Sequence, residues 1–153
     1  MSIEPDVCRP PTPYLIIQNA AKAIGWYGNA LGFTEVVRLA DPSGKVMHAE
    51  LRLNGSSIML ADEFPEMGYR SPISLGGSAV SVLLHVDHVD AVFSRAVGAG
   101  AEALMAVADQ FDGDRRGTLK DPFGHVWLIA TKKEDVSVEE LGRRFDAMMK
   151  KDG

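Results

Sequence analysis

The sequence predicts an α+β fold of two tandem β-α-β-β-β modules followed by a C-terminal helix. Three observations carry this. Strand-like and helix-like segments recur in the same order in both halves. Matched positions keep one offset of 69 residues, as in Leu15 with Leu84 and Gly55 with Gly124 (84 − 15 and 124 − 55), which marks an internal repeat. One half alone is too small to cover both faces of its sheet, so the halves must pack together or pair with a second chain.

The elements follow in chain order. Residues 1–10 read as a loose N-terminus, and residues 11–131 as one domain with module one at about 11–61. There PYLII (13–17) is a strand and AAKAIGWYGNAL (20–31) an amphipathic helix ended by Gly32, with Ala23, Trp26, Tyr27 and Ala30 as its buried stripe. Extended segments follow at 34–39, 46–53 and 57–61, the last after an Asn54–Gly55 turn. The link 62–78 is rich in Pro, Gly and Ser and long for a connection in a compact domain, which suits a functional or interface-crossing segment. Module two, about 79–131, repeats the plan: strand 82–86, helix 89–98, then extended segments near 102–108, 115–120 and 126–131, the last after a Phe123–Gly124 turn. In the tail, 132–153, Ser137 and Glu140 form a capping box that opens a helix running to about Lys150. Its apolar side (Val138, Leu141, Phe145, Met148 or Met149) should dock on the sheet or on a partner chain.

Parity assigns the faces of the third extended segment. Met47, Ala49, Leu51 and Leu53 alternate with His48, Glu50 and Arg52, and the apolar set should meet the helix. Periodicity alone leaves the polar set either solvated or facing a cavity.

Composition excludes several partners. A formal net charge of −5 disfavours nucleic acid, and no apolar run reaches the length of a membrane span. The opening MSIEPDVCRPP has acids and prolines where a secretory signal would be apolar, so a cytoplasmic location is expected. A single Cys8 cannot form an internal disulfide and reads as an inert thiol. Gly76–Gly77 lacks the context of a phosphate loop, and no Ser sits in a nucleophile elbow. Asp112–Arg116 lacks the spacing of a calcium loop and reads as a salt-bridged turn.

The tandem modules, YGNALGF after the first helix and the DPFGHVW turn before the last strand resemble the vicinal oxygen chelate superfamily, which includes glyoxalase I, bleomycin-resistance proteins and extradiol dioxygenases. The strings TPYL, VMHAELRLNGSSIMLADEFPEMG, ADQFDGDRRGTLKDPFGHVW and EDVS resemble its PhnB-like branch. The resemblance spans about Pro11 to Thr131 and implies curved sheets with helices outside and a small-molecule cavity within. His48, Glu50 and Arg52 would then face the cavity.

The resemblance also implies four metal-ligand positions, which fall on Thr12, Met59, Ser81 and Leu128. Two hydroxyls and two apolar side chains cannot hold a hard divalent ion, so no cofactor is expected. A displaced metal site of His48, Glu50 and His85 is disfavoured, because their spacing is not diagnostic. His88 should be exposed and His125 structural. Tyr14, His48, Glu50, Arg52, Met59, Leu83, His85 and Leu128 are the candidate ligand-binding residues, with His48 and Glu50 the candidate catalytic pair.

Two functions follow. The first is a metal-free binding protein that sequesters a drug or metabolite, neutral or cationic given the acidic balance. The second is a lyase, isomerase or dioxygenase of the same superfamily, using a displaced metal or His48 as proton carrier oriented by Glu50. The demethylubiquinone methyltransferase label attached to PhnB-like proteins finds no nucleotide-type cofactor motif. The long link, the apolar tail helix and the repeat together predict a homodimer.

Overall fold

The computed structural model describes residues 9–151, so Cys8 and most of the N-terminal stretch lie outside the described residues. The chain divides into two compact units, Met1–Gly76 and Gly77–Gly153.

The first unit contains β1 (Tyr14–Ile17), α1 (Ala20–Trp26), β2 (Thr34–Ala40), β3 (Val46–Leu53) and β4 (Ser56–Asp62). The helix continues as a π-helical turn, Tyr27–Leu31, and ends at Gly32, whose φ of 89° is the left-handed value that glycine adopts without a Cβ clash. The sheet order is β1-β4-β3-β2, with β1 parallel to β4 and the remaining pairs antiparallel. One face buries Leu15, Ile17, Ala49, Leu51, Ile58 and Leu60 with the helix. The helix stripe differs in part from the expectation: Ala20, Ala23, Ile24, Tyr27, Ala30 and Leu31 are buried, whereas Trp26 is half-buried and stacks edge-on against Tyr27. The link carries a short 3-10 turn, Pro65–Met67, and α2 (Pro72–Leu75).

Parity holds along β3 except at one residue. Ala49 and Leu51 are buried as expected, but Met47 is exposed. The register explains this: Ala40 pairs with Val46 and Leu39 with His48, so Met47 is the extra residue of a β-bulge. A bulge breaks the alternation locally and re-aims one side chain.

The second unit repeats the plan with β5 (Ser81–His85), α3 (Val89–Gly98), β6 (Glu102–Asp109), β7 (Asp114–Lys120) and β8 (Val126–Lys132), in the order β5-β8-β7-β6. The repeat is visible residue by residue. The Tyr14–Met59 pair of β1 and β4 recurs as Leu83–Leu128 of β5 and β8, both partners 69 positions on (83 − 14 and 128 − 59). The helix caps obey the same offset. Asp62 Oδ1 accepts the Ala20 N–H at 2.8 Å, and Thr131 Oγ1 accepts the Val89 N–H at 2.9 Å. Each last strand therefore satisfies the first orphan donor of its own module's helix. Asp62 also accepts the Val46 N–H at 2.7 Å.

The DPFGHVW turn is organised by buried Asp121. Its Oδ1 accepts the Phe123 and His125 N–H groups at 2.9 and 3.0 Å, and its Oδ2 accepts Trp127 Nε1–H at 2.8 Å. His125 is buried in this turn and His88 is exposed ahead of α3. Gly117 makes room for α3: a Cβ there would lie 2.7 Å from Phe93. In Asp112–Arg116, Arg116 pairs with Asp112 at 2.9 Å and Asp114 at 3.5 Å, as a salt-bridged turn requires. The tail forms α4 (Val138–Lys151), with Ser137 Oγ accepting the Glu140 N–H at 3.1 Å. Phe145 reaches Phe111 and Arg144 donates to the Phe111 carbonyl, yet no residue of α4 is buried. No helix among the described residues is long and apolar enough to cross a membrane.

Candidate functional site

The first unit holds a cavity of about 520 Å³ lined by Tyr14, Ile16, Met47, Ala61, Asp62, Phe64, Met67 and Tyr69. Three local causes build it. Tyr14 and Ile16 lie two apart on β1 and share the sheet face away from the helix. The bulge brings Met47 to the same cavity. The link then folds back: Phe64 and Tyr69 exchange backbone hydrogen bonds of 2.9 and 3.1 Å. This strap is pinned from below by Glu63, whose Oε1 accepts the Ser71 N–H at 2.6 Å and the Ser74 hydroxyl. Those bonds, led by Ser71 and then Ser74, hold the Glu63 carboxyl below its ordinary pKa. Lys45 Nζ sits 4.0 Å from the Phe64 ring centre, a cation–π contact.

Polar groups continue along that sheet face. Tyr14 Oη and His48 Nδ1 are 2.9 Å apart, with ring centres 5.7 Å apart. Burial first, then the nearby Tyr69, hold the Tyr14 phenol above its ordinary pKa. His48 thus has Tyr14 as its hydrogen-bond partner, where Glu50 was expected. Glu50 is buried and faces two guanidiniums instead: Arg52 reaches Oε2 at 3.3 Å and Arg9 lies 3.6 Å from Oε1. Met59 is the register partner of both Tyr14 and Glu50, so the three form one row across β1, β4 and β3.

The remaining candidates lie in the second unit. Leu83 and Leu128 are register partners, and exposed His85 pairs through Nε2 with Asp114 Oδ2 at 3.1 Å. Sequence reasoning missed the strap residues Phe64, Met67 and Tyr69. Their signal was three large apolar side chains within a Pro- and Gly-rich link. Asp62, read as the start of the link, closes β4 instead: it is among the residues lining the cavity, and its carboxylate accepts the Ala20 and Val46 N–H groups.

The four positions that would ligate a divalent metal do not fit one. Met59 and Leu128 offer no hard donor, and the Thr12 hydroxyl donates to the Pro10 carbonyl at 2.9 Å. No group of three or more His, Cys, Asp or Glu side chains among the described residues converges as a metal site would require.

Comparison with known proteins places this geometry. Residues 10–129 match the family model described as Glyoxalase/Bleomycin resistance protein/Dioxygenase superfamily. The uncharacterized protein Rv0887c of Mycobacterium tuberculosis is 44% identical over 133 residues, covering 85% of this chain and 78% of that protein. Protein PA1353 from Pseudomonas aeruginosa superposes with a TM-score of 0.65 at 26% identity, covering 83% of this chain and all of that one. Two more structures share a TM-score of 0.63 and 21% identity, which shows the fold alone. One is a PhnB protein from Bacillus cereus, described as a putative 3-demethylubiquinone-9 3-methyltransferase (80% of this chain, 99% of that one). The other is TnmS3, an antibiotic binding protein from Streptomyces sp. CB03234 (83% and 98%).

Proposed function

The chain belongs to the Glyoxalase/Bleomycin resistance protein/Dioxygenase superfamily, and from that premise we propose that it is a PhnB-like, metal-free binding protein for a small, partly aromatic organic molecule. The observation that carries this is the first unit's cavity. Two tyrosines, a phenylalanine and two methionines surround a volume suited to a drug-sized ligand. Aromatic faces and adaptable thioethers favour flat apolar groups. The antibiotic-binding TnmS3 has the same fold, but the reading rests on the cavity and on the donor set, which is wrong for a resident divalent metal. The test is native mass spectrometry of protein purified without added metal. A co-purifying organic adduct with near-zero divalent metal per chain is expected. About one metal ion per chain, lost in His48→Ala, would overturn the reading.

A second reading has one observation in its favour. The Tyr14–His48 hydrogen bond orients an imidazole beside a tyrosine that lines the cavity, as a lyase or isomerase using His48 for proton transfer would need. In that reading Glu50 does not orient His48 directly, and Tyr14 does.

We also propose that the protein works as a homodimer. Along α4, Val138, Phe145 and Met149 are exposed, and β2 exposes Val36, Val37 and Leu39 at a sheet edge. A second copy would cover such surface. Sedimentation should give a mass near twice the 16.5 kDa chain; a concentration-independent monomer mass would refute the dimer.

A further inference from the structure

We propose that the ligand of the first unit carries a methylated ammonium group, held against the rings of Tyr14, Phe64 and Tyr69. The inference rests on the binding reading above and adds the charged end of the ligand.

Aromatic side chains line the cavity from two directions, Tyr14 from β1 and Phe64 with Tyr69 from the strap. Tyr14 is 47% and Tyr69 51% exposed, so both have surface left for a ligand to cover. The two phenols stand close enough for Tyr69 to act electrostatically on Tyr14. An aromatic face carries the negative end of the ring quadrupole, and several rings around one space attract a cation. Phe64 displays that attraction within this protein, with the Lys45 ammonium 4.0 Å from its ring centre.

Formal charge points the same way. Asp62 is the one charged residue of the lining, and Lys45 is not part of it. An anionic ligand would meet Asp62 with no lining cation to pair with. The chain as a whole carries a formal charge of −5, which draws a cation toward it.

Hydrogen bonding selects the methylated form. A primary ammonium brings three N–H donors, each of which needs an acceptor once it leaves water. The lining's acceptors are already engaged. Tyr14 Oη lies 2.9 Å from His48 Nδ1, and the two Asp62 oxygens accept the Ala20 and Val46 N–H groups. A trimethylammonium has no donor to satisfy, and its methyl groups can pack on the rings and on the thioethers of Met47 and Met67.

Equilibrium dialysis with three naphthalene probes tests this: 2-naphthylmethyl-trimethylammonium, its neutral isostere 2-neopentylnaphthalene, and primary 2-naphthylmethylammonium. Physiological ionic strength screens diffuse attraction to an acidic protein. The wild-type protein should hold the trimethylammonium about tenfold more tightly than either other probe, the advantage of a desolvated cation among aromatic rings. That preference should shrink at least about threefold in Tyr69→Leu and persist in Tyr69→Phe, because the ring and not the hydroxyl supplies it. A neutral isostere held as tightly as the cation overturns the charged class. A primary ammonium held as tightly as the trimethylammonium overturns the methylated form. A preference unchanged in Tyr69→Leu overturns the ring assignment. Failure of all three probes to bind overturns the cavity reading beneath it. If Tyr69→Leu fails to fold, the wild-type comparison of the charged and neutral isosteres still decides.

Discussion

Replacing Asp121 with alanine should lower the unfolding free energy by about 3–5 kcal/mol, enough to leave a marginal domain largely unfolded. One buried carboxylate here accepts from Phe123 N–H, His125 N–H and the indole N–H of fully buried Trp127. Its loss strands three donors in the interior, and a hydrogen bond to a charged group contributes about 1.5–3 kcal/mol net. The sum is smaller than three times that figure because the bonds share one acceptor and the turn relaxes together. Urea denaturation followed by tryptophan fluorescence measures the loss. Asp121→Asn should recover part of it, since the amide oxygen can still serve the two backbone donors while its NH₂ faces the indole. A loss below about 1 kcal/mol in the alanine variant would mean the turn is held by other contacts.

The second large effect separates structure from site on a single strand. Leu51→Ala should cost about 2–5 kcal/mol, because the side chain is 1% exposed and packs on the helix side of β3. His48→Ala, three residues earlier on the opposite face, should melt close to the wild type and bind the co-purifying molecule about tenfold less tightly, having lost the Tyr14 contact. Thermal melts and binding titrations on both variants decide the matter. A destabilised His48→Ala beside a silent Leu51→Ala would invert the sheet and remove His48 from the site.

Much of the fold was legible because the chain states it twice. Strand pairs, helix starts and hairpin turns recur at one offset, so weak signals in one half were read against the other. Face assignment at Ala49 and Leu51 followed from a two-residue period. It failed at Met47, because a bulge is a property of the strand pair, and the extra residue on β3 has no mark in β3 alone. The site was legible only in its strand residues. Tyr14, His48 and Glu50 share a face by parity, but the partner of His48 depended on cross-strand register. Phe64, Met67 and Tyr69 entered through a link with no period to read, where the fold is set by a Glu63 carboxylate gathering Ser71 and Ser74.

That strap gives the cavity two walls of unequal durability. Tyr14, Ile16 and Ala61 stand on hydrogen-bonded strands, whereas Phe64, Met67 and Tyr69 sit on a link held by the backbone bonds of its own turns, the Glu63 N–H to the Ile17 carbonyl, one carboxylate and one cation–π contact. Segments with few buried contacts open locally long before a domain unfolds. On the binding reading, a molecule seated between the two walls leaves only when the strap lifts. Substitutions at Glu63 or Lys45 should therefore shorten how long the protein keeps its cargo, with the change falling mainly on the rate of escape.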